Sequence, residues 1–357
     1  ERRVALVPDA VGSLVESGVK IVIESGAGAQ AGFADDSYAA AGATILPGGA
    51  EVCGQADIVL KVQRPTLDEA KLLKPGGTLA AFLQPPESAS LFSMLAERRI
   101  TALGMERVPQ IAAAQAMDAL SSQATVAGYK AVLVGAAALK RMMPMLITAA
   151  GRLVPTKAFI IGAGVAGLQA VATARRLGAV VSALDVRPTA RDEVKSLGAS
   201  FVEISEAPKD AQASGGCARE LDKSEQQRVL DAVAGHLPEM DLIITTVQIP
   251  GRPAPRLITA EMIARMKPGS VIVDLAAETG GNCALTRLGE TVEANGVAIY
   301  GPVNLAATIP THASQMYSRN LQSLVQYLLR DGLPVINLVD PVTGPMIVTH
   351  QGELVFD

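Results

Sequence analysis

The sequence predicts an α/β fold with two doubly wound lobes, each built on a parallel sheet, joined by long helices and with the first lobe discontinuous. Short apolar runs alternate with helical segments along most of the chain, which is typical of parallel sheets covered by helices. A length of 357 residues corresponds to about two domains. Residues 154–185 carry a strand, a glycine-rich turn, a helix and a second strand in succession, as a nucleotide-binding βαβ unit requires.

The composition excludes several classes of protein. Apolar residues make up 49% of the chain and aromatic residues 3%, which suits close-packed α/β layers. A net charge of −4 leaves no basic footprint, so we expect no nucleic-acid partner. Cys53, Cys217 and Cys283 are scattered and form no CxxC pair, which predicts a reducing compartment and no structural metal. The most apolar stretch, residues 131–139, is shorter than the roughly 20 residues that span a bilayer, and we expect no signal peptide.

The first lobe is predicted from β-rich apolar runs separated by helical segments that Pro, Asp or Ser often introduce. Strands are expected at residues 20–24, 57–62, 77–83 and 100–105. Helices are expected at residues 11–17, 66–73 and 88–98. Because the chain opens at Glu1 without Met, we expect a leading strand to precede it.

Two long helices are predicted to connect the lobes. One covers residues 117–139 and carries small residues along its length, and the other covers residues 312–329 and returns to the first lobe. The expected domains are therefore 1–118 with 313–357 for the N-terminal lobe and 119–312 for the nucleotide-binding lobe. Ligands of such folds lie at the carboxyl ends of the strands, so a cleft between the lobes is the expected site.

The glycine-rich turn has the Rossmann spacing Gly162-x-Gly164-x-x-Gly167, followed by an Ala-rich helix and a second strand that ends at Asp185. Gly162 permits the tight turn, Gly164 lets a pyrophosphate approach the helix N-terminus, and Gly167 lets the helix pack closely on the strand. Asp185 would accept hydrogen bonds from the adenosine ribose and repel a 2′-phosphate, which predicts NAD(H) rather than NADP(H). Two alternatives stay open: Arg187 would face a 2′-phosphate instead, or the turn binds no phosphate.

The second lobe continues with alternating elements after Asp185. Helices are expected at residues 188–197 and 259–266, and strands at 241–247, 270–276 and 297–300. Residues 206–227 form a long polar loop that is either a lid or a solvated insertion. Residues 276–282 (AAETGGN) follow a strand and are expected at the cleft.

Five stretches together resemble one family. They are residues 1–8 (ERRVALVP), 115–123 (QAMDALSSQ), 145–151 (MLITAAG), 162–179 (GAGVAGLQAVATARRLGA) and 276–283 (AAETGGNC). The chain is similar, over nearly its full length, to the soluble NAD(H)-binding domain of the α subunit of proton-translocating NAD(P)+ transhydrogenase. The resemblance implies direct hydride transfer between NADH on this chain and NADP+ on a partner subunit. It also implies a homodimer, membrane-embedded partner subunits with an NADP(H)-binding domain, and a peripheral location on the cytoplasmic face of the inner or plasma membrane.

The resemblance also assigns site residues. Gln115 would reach toward the partner's nucleotide, while Asp118 and Ser121 would orient the nicotinamide carboxamide. An alternative is that Asp118 only caps the long helix and that Ser121 lies within it. The cofactor-binding residues implied by the resemblance and the glycine motif are Gly162, Gly164, Val165, Gly167, Asp185, Val186, Arg187, Gly216, Gln226 and Val247.

Alanine dehydrogenases share this architecture and give a second hypothesis. In them, residues that match Arg3 and Lys61 hold the oxo-acid, but their catalytic His falls at Gln84 and their catalytic Asp at Glu278. Glutamine cannot exchange a proton near neutral pH, whereas hydride transfer between two nicotinamides needs no acid or base. The comparison therefore favours transhydrogenation. The three histidines, His236, His312 and His350, are expected at the surface or at helix ends.

A third hypothesis is an NAD(H)-binding module without catalysis. It rests on departures from the family pattern, which usually has Arg where this chain has Gln110 and Ala113, and Tyr where it has Cys217. The loss of a cationic side chain removes hydrogen bonds worth roughly 1.5–3 kcal/mol each.

Overall fold

The computed structural model describes residues 1–84, 89–205, 221–249, 251–330 and 333–355. They divide into two compact units, one comprising Glu1–Gln123 and Ala306–Asp357 and the other Ala124–Leu305. The α/β class predicted from the sequence is confirmed, and the first unit is assembled from two separate segments of the chain.

The elements follow one another in the alternating order that the apolar pattern predicts. The helices are α1 (Pro8–Glu16), α2 (Asp35–Ala40), α3 (Gly49–Gln55), α4 (Leu67–Leu72), α5 (Ala89–Glu97), α6 (Ala119–Ala138), α7 (Val165–Arg176), α8 (Ala190–Ser196), α9 (Lys223–His236), α10 (Ala260–Ala264) and α11 (Pro310–Leu328). The strands are β1 (Val22–Glu24), β2 (Thr44–Leu46), β3 (Ile58–Gln63), β4 (Thr78–Phe82), β5 (Thr101–Gly104), β6 (Leu146–Thr148), β7 (Gly151–Leu153), β8 (Lys157–Ile161), β9 (Val180–Leu184), β10 (Ser200–Phe201), β11 (Leu242–Thr245), β12 (Val271–Asp274), β13 (Thr291–Ala294), β14 (Val297–Tyr300), β15 (Leu329–Arg330), β16 (Leu333–Pro334), β17 (Ile347–His350) and β18 (Glu353–Leu354).

The first unit contains a five-stranded sheet with the order β18-β17-β5-β4-β3. The parallel pairing expected of its apolar runs is found in β3, β4 and β5. The strands β17 and β18, which the sequence analysis did not anticipate, add an antiparallel edge. One face of this sheet packs on a buried cluster that includes Leu79, Phe92 and Leu95. Strands β1 and β2 form a separate parallel pair.

The second unit contains a seven-stranded sheet with the order β10-β9-β8-β11-β12-β14-β13. All pairs are parallel except β13 with β14. Strand order runs outward in opposite directions from β8 and β11, so these two neighbours mark the point where a doubly wound sheet leaves a crevice at its carboxyl edge. Both strands are buried through their apolar residues, which fixes their ends rigidly. The turn after β8 and the segment after β11 therefore lie side by side.

Helix α6 begins two residues later than the sequence predicts, because residues Ala112–Met117 form a separate 3-10 helix. Within the second unit, Gly128 and Gly135 let this helix approach its neighbours closely. A Cβ on Gly128 would lie 2.1 Å from the carbonyl oxygen of Ala166, and one on Gly135 would lie 2.4 Å from Cδ1 of Leu242. The backbone of α6 thus packs directly against the first turn of α7.

A two-stranded antiparallel hairpin, β6 with β7, was also not anticipated from the sequence. It covers the MLITAAG stretch that contributed to the family resemblance. Its apolar side chains stand outward, with Ile147 77% exposed and Leu153 49% exposed. The hairpin is therefore not part of the core of the second unit.

Candidate functional site

The turn after β8 requires glycine at its first position. Gly162 has a φ of 96°, a left-handed conformation that other residues adopt at a cost. A Cβ there would lie 2.5 Å from Oγ1 of Thr246 and 2.9 Å from Cγ2 of Val247. The turn therefore sits tightly against the segment that follows β11, and the sheet order brings these residues together.

The other two glycines of the motif differ in what surrounds them. A Cβ on Gly167 would lie 1.8 Å from the carbonyl oxygen of Gly162, so only glycine lets α7 pack this closely on the turn. A Cβ on Gly164 would meet no atom of the described residues within 4 Å. Gly164 is the N-cap of α7, and being glycine it brings no capping side chain to the first-turn amides. The positive end of α7, which begins at the half-exposed Val165, is thus accessible to an anion.

Asp185 and Arg187 form an ion pair across the tip of β9. The backbone N–H of Ala163 donates to Oδ2 of Asp185 at 2.7 Å. The backbone N–H and Nε of Arg187 donate to Oδ1 at 2.8 and 3.0 Å, and its Nη2 donates to Oδ2 at 3.1 Å. The same Nη2 reaches the carbonyl oxygen of Ala163 at 3.1 Å. The sequence analysis set Asp185 and Arg187 against each other as alternatives, whereas the structure joins them.

Val186 and Val247 pack against one buried apolar cluster on the same side of the sheet. Val247 is further held by a side chain that the sequence analysis did not single out. Its backbone N–H donates to Oδ1 of Asn282 at 3.0 Å, and Nδ2 of Asn282 donates to the carbonyl oxygens of Val247 and Pro255, each at 2.9 Å. Asn282 is fully buried. Its position in the Gly-Gly-Asn of the AAETGGNC stretch was the signal available in the sequence.

Asp274, at the end of β12, is a second buried polar residue that sequence reasoning missed. Its Oδ1 accepts from Oγ1 of Thr245 at 2.9 Å and from the N–H of Ala276 at 3.0 Å. Its Oδ2 accepts from the N–H of Cys283 at 3.0 Å and from Oγ1 of Thr286 at 2.6 Å. The carboxylate is thus compensated by four donors and fixes the segment that carries Asn282. Burial raises the pKa of the Cys283 thiol, which keeps it protonated and structural.

The prediction that residues 206–227 form one loop is wrong at its C-terminal end. Helix α9 begins at Lys223, and Asp222 caps it in a reciprocal capping box with Glu225. The Asp-x-x-Glu pattern signalled this start. Gln226 therefore lies in the first turn of α9, where its Nε2 donates to the carbonyl oxygen of Leu221 at 2.9 Å. Gly216 and Cys217 lie outside the described residues, as does the rest of 206–220.

In the first unit, Asp118 and Ser121 contact each other directly. The N–H of Ser121 donates to Oδ1 of Asp118 at 2.9 Å and its hydroxyl donates to Oδ2 at 2.6 Å. This is the capping geometry that the sequence analysis kept as an alternative. Gln115 is exposed on the preceding 3-10 helix. Asn320 of α11, which sequence reasoning missed, anchors that helix by donating to the carbonyl oxygen of Ala116 at 2.9 Å.

The residues of the dehydrogenase hypothesis are engaged with side chains of the chain itself. Arg3 donates through Nη2 to Oε2 of Glu1 at 2.7 Å and through Nη1 to Oε1 of Gln123 at 2.7 Å. Lys61 donates to Oε1 of Glu69 at 2.5 Å. Burial acts to raise the pKa of Glu69, but the hydrogen bonds from Lys61 and from its capping box outweigh it, so the pKa is lowered.

The three histidines are placed away from these clusters. His236 is the last residue of α9 and packs on the ring of Phe159, with the centroids 5.2 Å apart. His350 lies at the end of β17, with its Nδ1 2.9 Å from Oγ1 of Thr101, and His312 is exposed near the start of α11. Among the described residues, no three His, Cys, Asp or Glu side chains are grouped as metal ligands would be. In the same part of the chain, no helix combines the length and apolar character needed to cross a bilayer.

Comparisons with known proteins agree with this geometry. Residues 1–127 match the model of the alanine dehydrogenase/PNT N-terminal domain, and residues 131–357 match that of its C-terminal domain. The chain is 43% identical over 360 residues to NAD(P) transhydrogenase subunit alpha of Cereibacter sphaeroides, covering 100% of this chain and 69% of that one. In Rhodospirillum rubrum the first of the pieces that make up NAD(P) transhydrogenase subunit alpha is 44% identical over 363 residues, covering 99% and 94%. Alanine dehydrogenase of Bacillus subtilis is 32% identical over 318 residues, covering 87% and 78%.

The solved structures include a transhydrogenase from Sinorhizobium meliloti with a TM-score of 0.89 and 42% identity, covering 99% of this chain and 96% of that one. The matches extend over both units and include every stretch on which the resemblance was based. The chain therefore belongs to the alanine dehydrogenase/PNT family.

Proposed function

We propose that this chain is the NAD(H)-binding α subunit of a proton-translocating NAD(P)+ transhydrogenase. The observation that carries the proposal is the turn after β8, where a helix N-terminus without a capping side chain meets a Gly164 whose Cβ position is clear of described atoms for 4 Å. Such a turn at the reversal of strand order suits the pyrophosphate of a dinucleotide. The 44% identity to a transhydrogenase α subunit selects this member of the family.

In the proposed complex, the amides of the first turn of α7 bind the pyrophosphate, and Asp185, Val186 and Arg187 lie at the adenosine ribose. Val247 and the loop residues Gly216 and Gln226 complete the adenosine side. This assignment is supported by the close packing of the turn on the segment that Asn282 holds.

The reaction moves one hydride from C4 of NADH to C4 of NADP+, giving NAD+ and NADPH with no net change in protons. Asp118 and Ser121 orient the nicotinamide carboxamide, and Gln115 reaches toward the partner's nucleotide. None of these three side chains has to gain or lose a proton, so they contribute by positioning the ring. Gln84, which stands where a dehydrogenase has its acid, agrees with a reaction that needs none.

The partners follow from the same assignment. NADP(H) is bound by a separate domain, and proton movement takes place in membrane-embedded subunits, on whose cytoplasmic face this chain docks as a homodimer. The proposed lobes are residues 1–118 with 313–357 and residues 119–312. The names of the similar proteins, which are subunits of transhydrogenases, support this arrangement.

The test is to mix the chain with the NADP(H)-binding subunit of the Rhodospirillum rubrum enzyme. NADPH and the acetylpyridine analogue of NAD+ are supplied, and formation of the reduced analogue is followed by its absorbance. We expect exchange that depends on both proteins and that falls in a Gly164→Ala variant. Binding of NADH without exchange would contradict the catalytic proposal and leave the NAD(H)-binding module that Gln110, Ala113 and Cys217 suggest.

The dehydrogenase alternative has its own test. Arg3 and Lys61 would have to release Glu1 and Glu69 before they could hold an oxo-acid carboxylate. We therefore expect no oxidation of NADH above background with pyruvate and ammonium. Steady turnover in that assay would favour the amino-acid dehydrogenase instead.

A further inference from the structure

The carboxylate of Asp185 is saturated by donors of its own chain. A carboxylate has about four acceptor positions, and four donors reach this one at 2.7–3.1 Å. Two of them, the N–H groups of Ala163 and Arg187, belong to the backbone and are fixed by the turn and by the strand end. The other two are Nε and Nη2 of the Arg187 guanidinium. The side chains are only 8% and 14% exposed.

A ribose diol can therefore bind Asp185 only by replacing a donor. The backbone N–H groups cannot leave without unfolding the turn, whereas a guanidinium can rotate away about its side-chain bonds. The same pairing governs a 2′-phosphate. While Arg187 is folded onto Asp185 and onto the carbonyl oxygen of Ala163, its charge is neutralised and its donors are turned away from an incoming ligand.

We propose that Arg187 is a specificity-determining residue and that Asp185 excludes NADP(H) chiefly by holding this cation. The ribose of NAD(H) displaces the guanidinium from the carboxylate. A 2′-phosphate would meet the charge of Asp185 and find the adjacent arginine already bound. Removing the charge at position 185 should release Arg187 to pair with the 2′-phosphate in a bidentate fashion. The inference rests on the proposed binding of NAD(H) at this turn.

The test compares NADH and NADPH binding by fluorescence titration in four proteins. Asp185→Asn keeps an oxygen that can accept from the N–H of Ala163 but removes the charge, so the turn should stay folded. We expect its affinity for NADPH to rise about tenfold or more over the unchanged chain, and its affinity for NADH to fall. The gain should disappear in the double variant D185N/R187A. It should persist in D185N/R191A, because Arg191 is a half-exposed arginine of α8 that pairs with Glu203.

A single Arg187→Ala variant tests the displacement separately. If the guanidinium only has to move away, R187A should bind NADH within about threefold of the unchanged chain, or more tightly. A loss greater than tenfold would mean that Arg187 is itself a ligand of NADH and would overturn the displacement step.

The inference and the proposed function fail in different ways. If the unchanged chain binds no NADH, the proposed function is wrong and the inference falls with it. If the unchanged chain binds NADH but D185N gains no affinity for NADPH, or if the gain survives R187A, the role of Arg187 is refuted and NAD(H) binding stands. Circular dichroism and thermal melting of each variant show whether it is folded, and R187A gives a second result should D185N be unstable.

Discussion

The replacement of Gly164 by Ala separates the fold of the glycine turn from its binding of a dinucleotide. A Cβ at this position would meet no described atom within 4 Å, and the φ of −71° suits any residue. Alanine is a poorer N-cap than glycine by about 0.5–1 kcal/mol. It also restricts the unfolded chain, which contributes about 0.4–1 kcal/mol in the opposite direction. The free energy of unfolding should therefore change by less than about 0.5 kcal/mol.

The effect on binding should be much larger. The new methyl group would occupy the space through which a pyrophosphate approaches the first turn of α7, and would keep its oxygens beyond hydrogen-bond distance of the amides. A charge-assisted hydrogen bond contributes roughly 1.5–3 kcal/mol, so losing one raises the Kd for NADH by about one to two decades. The measurement is the fluorescence of NADH titrated with protein, beside urea denaturation of the same variant.

Gly167→Ala is the matched control for the fold. A Cβ there would lie 1.8 Å from the carbonyl oxygen of Gly162, so α7 and the turn must separate. Overpacking of this kind typically costs about 1–3 kcal/mol of stability. Gly167→Ala should therefore lose both stability and binding, and Gly164→Ala only binding. If Gly164→Ala binds NADH as tightly as the unchanged chain, the pyrophosphate does not lie on this turn.

Three further predictions concern buried or capping groups. Asp118→Ala should lower the free energy of unfolding by about 1 kcal/mol in urea denaturation, because it removes the cap of α6, whereas Ser121→Ala should lower it less, since the N–H of Ser121 is kept and only loses its acceptor in the first variant. Asn282→Ala leaves the N–H and carbonyl of Val247 unpaired and should cost about 2–4 kcal/mol by the same measurement; a cost below about 1 kcal/mol would show that this clamp is dispensable. Because burial raises the pKa of Cys283, a thiol reagent at about pH 8 should modify it only after denaturant is added, as peptide mapping would detect; rapid labelling of the native protein would contradict that burial.

The local patterns of the sequence predicted most of the fold correctly. The apolar runs at β3, β4, β5, β8 and β11 are strands buried along their length, and burial is what makes such runs apolar. The roles of Gly162 and Gly167 also followed from spacing, because the turn and the close helix packing depend on neighbours only a few residues away.

The polar framework behind the site could not be predicted in this way. Asn282 holds a segment 35 residues distant in the chain, and Asp274 gathers donors that lie up to 29 residues away. Which donor a buried carboxylate or amide meets is decided by the sheet order and not by local spacing. The antiparallel strands β17 and β18 were missed for the same reason, since β17 pairs with β5, more than two hundred residues earlier.

The internal pairing of Asp185 also ranks the parts of the site by their contribution to affinity. The first-turn amides of α7 have no partner within the helix, so a pyrophosphate gains whole hydrogen bonds there. A ribose only exchanges its hydroxyls for the guanidinium of Arg187, and such an exchange is worth about 0.5–1.5 kcal/mol net. Gly164→Ala should therefore weaken NADH binding more than Asp185→Asn does, by about tenfold in Kd. The reverse order would show that the ribose contact, and not the glycine turn, dominates the binding of NADH.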